Sequence, residues 1–222
     1  MNTSCKKYCF ILVILFTLTA TPAMAQLGVR GGYSLTNWKG YILASADFVS
    51  KPLNAFHLGL YGEFDIISTI KIEPGLYFSR KGAGGSFTDG NNELLIENKS
   101  AYLDVPLLLK FYFNGFNIYG GPQMSLLISN EIETTITDLN TSQNISSTTK
   151  TDDQFNDTAV DFVLGIGYKF NRGLNFNLSY DIGLTNILVT EDALQTAGVP
   201  GSYYTWLEAQ NRVIKLSVGM SF

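Results

Sequence analysis

Leu174-Asn175-Phe176-Asn177-Leu178-Ser179-Tyr180-Asp181-Ile182 sets an apolar or aromatic residue at every even position and a polar one at every odd position. Successive side chains of a β-strand leave opposite faces, so this nonamer reads as a strand with one greasy face and one wet face. Segments 27–35, 56–64, 70–79, 102–112, 116–126, 160–170 and 214–222 repeat the pattern. In the second of them Phe56, Leu58, Leu60 and Phe64 alternate with His57, Tyr61 and Glu63. In the last, Ile214, Leu216, Val218, Met220 and Phe222 alternate with Lys215, Ser217, Gly219 and Ser221. No stretch carries a comparable helical period, so the chain reads as all-β with eight strands.

The connections alternate between short and long. A few residues around Asp65 join segments two and three. Asn114-Gly115 joins four and five, a strong signal for a type I′ hairpin because both positions need positive φ. Asn171-Arg172-Gly173 joins six and seven, with Gly placed for the left-handed position. The remaining connections, about 37–54, 82–98, 130–157 and 185–210, are long and rich in Ser, Thr, Asn and Asp. An even strand count with short turns at one end and long loops at the other is the outer-membrane barrel pattern. The expected fold is therefore an eight-stranded antiparallel up-and-down transmembrane barrel with short periplasmic turns and long extracellular loops.

A soluble barrel alternates too, but hides its apolar face inside. Three features favour the inverted arrangement. The polar face carries many glycines, among them Gly28, Gly32, Gly59, Gly75, Gly165 and Gly219, as expected where a narrow interior leaves little side-chain space. The apolar face is aromatic at its ends and aliphatic between. Phe111, Phe113, Phe116, Phe170, Phe176 and Phe222 fall at the short-turn end, Tyr33, Phe56, Phe78, Phe162 and Tyr180 at the other, matching two interfacial girdles. The polar face also holds Arg30, Lys71, Lys81, Lys110, Lys169 and Lys215 beside Glu63, Glu73, Asp104, Asp161 and Asp181. Such charges inside a barrel must pair or meet water, so their near balance predicts a salt-bridged, plugged interior. A hairpin centred near Ile66 would set Glu63 opposite Lys71. Pro74, Pro106 and Pro122 fit less well, since proline cannot donate to a ladder; bulges or projecting strand ends would accommodate them.

Lys6-Lys7, an apolar run from Phe10 to Ala20 and the small-x-small site Ala23-Met24-Ala25 make residues 1–25 a secretory signal, leaving 26–222 as the barrel domain. Its loss takes the formal charge of the 222-residue chain from −4 to −6, since Lys6 and Lys7 leave with it. An acidic chain without a basic run is a poor partner for nucleic acid. Charged residues are 15%, low for a soluble domain. Both cysteines, Cys5 and Cys9, fall in the signal, so the barrel has no disulfide or thiolate site. Location and lipid contact are thus expected at the outer membrane.

Chemical constellations are sparse. His57, the one histidine, is expected inward on the charge-lined face, without a second ligand or a nucleophile at motif spacing. Gly82-Ala83-Gly84-Gly85 lacks the following helix of a phosphate cradle and reads as a loop. Asp152, Asp153 and Asp157 miss the calcium-loop spacing and read as solvated loop charges. No catalytic, cofactor-binding or metal residue is assigned. Trp38, Tyr41, Phe48, Tyr203, Tyr204 and Trp206 put large aromatics outside the strands, where they either bind a protein or surface ligand or pack the loops together. A monomer is expected.

The run Tyr102-Leu103-Asp104-Val105-Pro106-Leu107-Leu108-Leu109-Lys110, followed by Tyr119-Gly120-Gly121-Pro122 and the alternation ending at Phe222, resembles the PorT-like outer-membrane β-barrel family of Bacteroidetes over nearly all of 26–222. That resemblance implies an outer-membrane barrel, with one branch of the family serving protein secretion and gliding, and supplies no catalytic residue. A structural or loop-binding role, an accessory role in secretion and, third, a small pore are the functions it leaves open. Eight strands leave an interior that side chains just fill, which disfavours the pore.

Overall fold

The computed structural model describes residues 25–39, 49–89, 92–138, 141, 143–152, 155–188 and 209–222. These form ten strands: β1 (Ala25–Lys39), β2 (Val49–Lys51), β3 (Leu53–Ile67), β4 (Ile70–Asp89), β5 (Asn92–Phe113), β6 (Phe116–Asp138), β7 (Gln143–Lys150), β8 (Thr158–Lys169), β9 (Leu174–Gly183) and β10 (Gln210–Ser221). Every pairing between them is antiparallel, and β1 pairs with both β3 and β10. The order β1-β3-β4-β5-β6-β8-β9-β10 therefore closes into a ring of eight. Closure satisfies the wall's backbone groups edge to edge, as a hydrocarbon environment requires.

The turns follow local chemistry. Asn114 and Gly115 both have positive φ, 48° and 86°, as a type I′ turn demands, and Gly173 has φ 87° in the three-residue loop. Both chain ends of the barrel lie at this short-turn rim, where Ala25 pairs with Phe64 and Phe222 bonds to Leu27.

Alternation sorts the faces as the sequence implies. Outward Leu58 and Leu60 are 62% and 60% accessible in the isolated chain, whereas inward Asp104, Asp161 and Asp181 are fully buried. A contiguous apolar exterior of this extent is stable only against lipid. The glycines on the inner face make room. A Cβ on Gly165 would fall 2.2 Å from the ring of Tyr119, and one on Gly32 would fall 1.9 Å from the backbone oxygen of Leu216.

Four expectations are corrected. Residues 82–98 are not a loop: β4 and β5 stay paired out to Asp89↔Asn92, and Gly82-Ala83-Gly84-Gly85 is ladder opposite Lys99 to Ile96. Residues 130–157 likewise extend β6 and add β7, paired from Glu131↔Lys150 to Asp138↔Gln143. Glu63 does not meet Lys71. Phe64 pairs with Ile72 and Asp65 with Lys71, the register then shifts before Ile67, and Lys71 reaches Asp65 at 2.9 Å instead. Finally, the prolines need neither bulges nor projecting ends. The ladders lapse for two positions and resume in the same register, and each proline falls in one lapse: Pro74 between Tyr61↔Gly75 and Phe64↔Ile72, Pro106 between Pro74↔Leu107 and Tyr77↔Asp104, and Pro122 between Pro106↔Gln123 and Leu109↔Gly120. The non-donor thus falls where no ladder bond is made, one strand after another along an oblique line.

Candidate functional site

The barrel interior is the first candidate. Toward the turn end, the Arg30 guanidinium donates twice to Glu73, at 2.6 and 2.9 Å, and stacks 4.1 Å over the Tyr61 ring. A bidentate fork of this kind fixes geometry as well as charge. Lys110 joins Glu73 to Glu63, which also accepts from Lys169 and from the Tyr112 hydroxyl. Toward the loop end, Lys81 lies 2.9 Å from both Asp104 and Asp161. Lys215 lies 2.6 Å from Asp181 and 3.4 Å from Asp104. Gln123 donates to Asp161 and Asp181, and Ser125 donates to Asp161 at 3.0 Å.

These are two stacked ionic layers. The first has three cations and two carboxylates, the second two cations and three carboxylates. Between them Leu108, Tyr119 and Val163 pack as a buried apolar cluster. A cavity of about 40 Å³, lined by members of both layers and by that cluster, lies in this zone; it holds at most a few waters. His57 also lines it, with one ring nitrogen 2.8 Å from the Ser34 hydroxyl and the other 2.8 Å from that of Ser217. Both nitrogens are thereby engaged within the wall.

Of the eleven charged residues expected on the inner face, Arg30, Glu63, Glu73, Lys81, Asp104, Lys110, Asp161, Lys169, Asp181 and Lys215 are brought together in the internal network. Lys71 stays outside it with Asp65 near the turn rim. Lys81, fully buried, is the hub of the loop-end layer. The split into two layers was not readable from alternation, which says which way a side chain points but not its height along the axis.

The second candidate is the wall above the barrel. β4, β5 and β6 run about ten residues past their neighbours, and with β2 on one side and β7 on the other they make a five-stranded sheet. One face carries charges: Lys99 lies 2.7 Å from Glu97 and 2.6 Å from Glu133, while Lys51 lies 3.5 Å from Glu93. Hydrogen bonds to Glu133 and then to Glu97 hold the Lys99 ammonium above its usual pKa. The other face carries the cross-strand row Leu94–Ile136–Ile145.

The loop aromatics divide. Trp38 packs on Phe155, ring centroids 5.8 Å apart, against a buried cluster of Phe155, Ala159, Ile187 and Ala209; it packs the loop side together. Tyr41, Phe48, Tyr203, Tyr204 and Trp206 lie outside the described residues. Asp152 is no free loop charge, since its carboxylate accepts from the Asn130 amide. Asp157 is likewise engaged, and Asp153 lies outside the described residues. Among the described residues no group of carboxylates and histidine could hold a metal ion.

Residues 19–189 fit the family model of the outer membrane protein beta-barrel domain. The chain belongs to this family. It is accordingly an outer-membrane barrel in a lipid environment. None of the curated proteins matches it. Solved structures of outer-membrane proteins are similar to it at low identity. Ail of Yersinia pestis is 12% identical with TM-score 0.43, covering 90% of this chain and 99% of that one. Neisserial surface protein A is 8% identical with TM-score 0.45, covering 89% and 99%. The outer membrane protease OmpT of Escherichia coli is 10% identical with TM-score 0.39, covering 91% and 98%.

Proposed function

We propose that the protein is a closed, non-enzymatic outer-membrane barrel that acts through its extracellular side, as a structural or partner-binding surface. One observation carries this reading: two ionic layers with an apolar cluster between them fill the lumen. A filled lumen leaves the rims and the protruding sheet as the surfaces open to a macromolecule. The burial of His57, 3% accessible with both nitrogens taken by serine hydroxyls, speaks for a packing role rather than a catalytic one. Residues 1–25 are proposed as the export signal that brings the barrel to the outer membrane.

The test has two arms. In planar bilayers the purified barrel gives no steady conductance; large stable openings refute the plug. In intact cells, a photo-reactive residue placed at Glu97, opposite Glu133 on the protruding sheet, gives a discrete adduct that disappears when residues 130–157 and 185–210 are removed; adduct formation that survives that removal refutes binding through this side. The PorT-like resemblance of residues 102–110 supports a second reading, an accessory part in protein secretion. In β5 those residues serve the barrel itself, with Asp104 and Lys110 in separate ionic layers. A deletion strain with unchanged exported cargo counts against that reading.

A further inference from the structure

The protruding sheet ends in two edges, and they differ. β2 is three residues long, carries Lys51 and runs straight into Pro52. Short length, lysine and proline are the usual means of blunting an edge against another strand. β7 has none of these over Gln143–Thr149: eight residues with its terminal Lys150, rich in Ser and Thr, without proline or glycine. Residues 144–150 are exposed, and among the described residues β7 pairs with β6 alone. Among the described residues nothing protects this edge, which is of the kind strand-adding partners use.

The phase of its free hydrogen-bonding groups can be fixed. The Thr151 amide donates to the Asn130 carbonyl, which makes 151/130 a hydrogen-bonded pair in the register that runs on through Glu131↔Lys150. Antiparallel ladders alternate hydrogen-bonded and non-bonded pairs. The amides of Ile145, Ser147 and Thr149 are therefore spent on β6, whereas those of Asn144, Ser146 and Thr148 point away from it. The side chains add a register mark. The row Leu94–Ile136–Ile145 crosses three strands and stops at the edge, where Ile145 is 71% accessible. On the open side Ile145 would face its neighbour as a non-bonded pair, the closer of the two spacings for side chains.

We infer that the outer edge of β7 is a strand-addition site for an extended polypeptide segment of another protein, with an apolar residue seated beside Ile145. The inference rests on the extracellular-surface reading and deepens it by giving the partner's chemistry. A second copy in the same membrane fits poorly. Two copies related by an axis along the membrane normal, with strands tilted about 40°, would cross their β7 strands near a right angle instead of aligning them.

The experiment uses the whole barrel in lipid nanodiscs and a capped, labelled peptide copying residues 131–138. The peptide binds, and it slows amide exchange at Ser146 and Thr148. Thr148→Pro removes one outward amide without touching the β6 ladder and weakens binding about tenfold. Retained protection of Ser147 and Thr149 shows that the hairpin still stands in this variant. A second variant, Ile145→Thr, weakens binding of this peptide but not of one whose own Ile136 equivalent is Thr. Undiminished binding to Thr148→Pro, protection confined to other strands, or concentration-dependent self-association of the barrel that protects the same amides overturns the inference. If cellular adducts depend on the 130–157 and 185–210 segments yet ignore Thr148→Pro, strand addition fails while the surface reading stands.

Discussion

Lys81→Met removes the hub of the loop-end layer while keeping nearly its volume. Lys81 is fully buried and lies 2.9 Å from Asp104 and 2.9 Å from Asp161. After the change Asp104 retains Lys215 at 3.4 Å, but Asp161 keeps only the neutral donors Ser125 and Gln123. Deleting one partner of a buried pair costs about 3–5 kcal/mol because a carboxylate is left without its counter-charge. The remaining donors place the expected loss near the lower bound, about 3 kcal/mol, or roughly a hundredfold in the unfolding equilibrium. With a denaturant slope of about 2 kcal/mol/M, the urea midpoint of the barrel in lipid vesicles falls by about 1.5 M. Adding Asp161→Asn removes the stranded charge, so the double variant recovers at least about 1.5 kcal/mol of the loss, a coupling normal for contacting groups. A Lys81→Met loss under about 1 kcal/mol, or simple additivity in the double variant, means the carboxylates are hydrated and the interior is wet, and the reasoning about a filled lumen is refuted.

Other consequences are equally open to measurement. Gly165→Ala lowers the unfolding free energy by about 1–3 kcal/mol through its clash with Tyr119, and Tyr119→Leu in the same chain relieves it. Gly32→Ala has no such rescue, because its clash is with the backbone of β10; folding yield in vesicles distinguishes the two. Truncating Tyr77, Lys110 and Tyr119 together to alanine opens a path through the cluster, so bilayer recording detects conductance absent from the parent barrel. Lys99 has a raised pKa in the folded chain, so its contribution is fully present below about pH 10.5 and is lost as the pH climbs through the raised value. It is more than a third exposed, so that contribution stays below about 1 kcal/mol. Methyl NMR of Leu95 and Thr135, on the same face as Lys99, should shift above pH 10.5 in the parent and remain still in Lys99→Met.

The membrane-crossing part was legible because lipid and lumen impose opposite demands on alternate residues. Phe56 to Phe64 and Leu174 to Ile182 carry that contrast in full. So do the turns at Asn114-Gly115 and Gly173, where backbone geometry selects the residue. Beyond the membrane the contrast fades. Residues 92–100 and 130–150 put Leu94 and Ile136 on one face and Glu97 and Glu133 on the other, diluted by Ser, Thr and Asn on both, so ordered strands read as loop. Register was the other blind spot. The β3–β4 hairpin turns at Ser68-Thr69 with Ile67 opposite Ile70, so Asp65 and not Glu63 falls opposite Lys71, and Glu63 pairs with Lys110 and Lys169 across the lumen. The loop-aromatic expectation was half readable: Trp38 has the composition of a binding residue, and only its contact with Phe155 reveals a packing one.

The unequal strand lengths have a mechanical meaning. β6 last pairs with β8 at Leu126 and runs on to Asp138, a further twelve residues or about 40 Å of extended chain. Inclined like the rest of the wall, it lifts its tip about 30 Å over the rim, several times the depth of a headgroup layer. The cylinder is thus cut on the slant, like a quill. A bulky body held off by the crowded cell surface could still be reached by the point of the quill, and any pull on that point would be delivered to three adjoining staves of the barrel rather than shared around its girth.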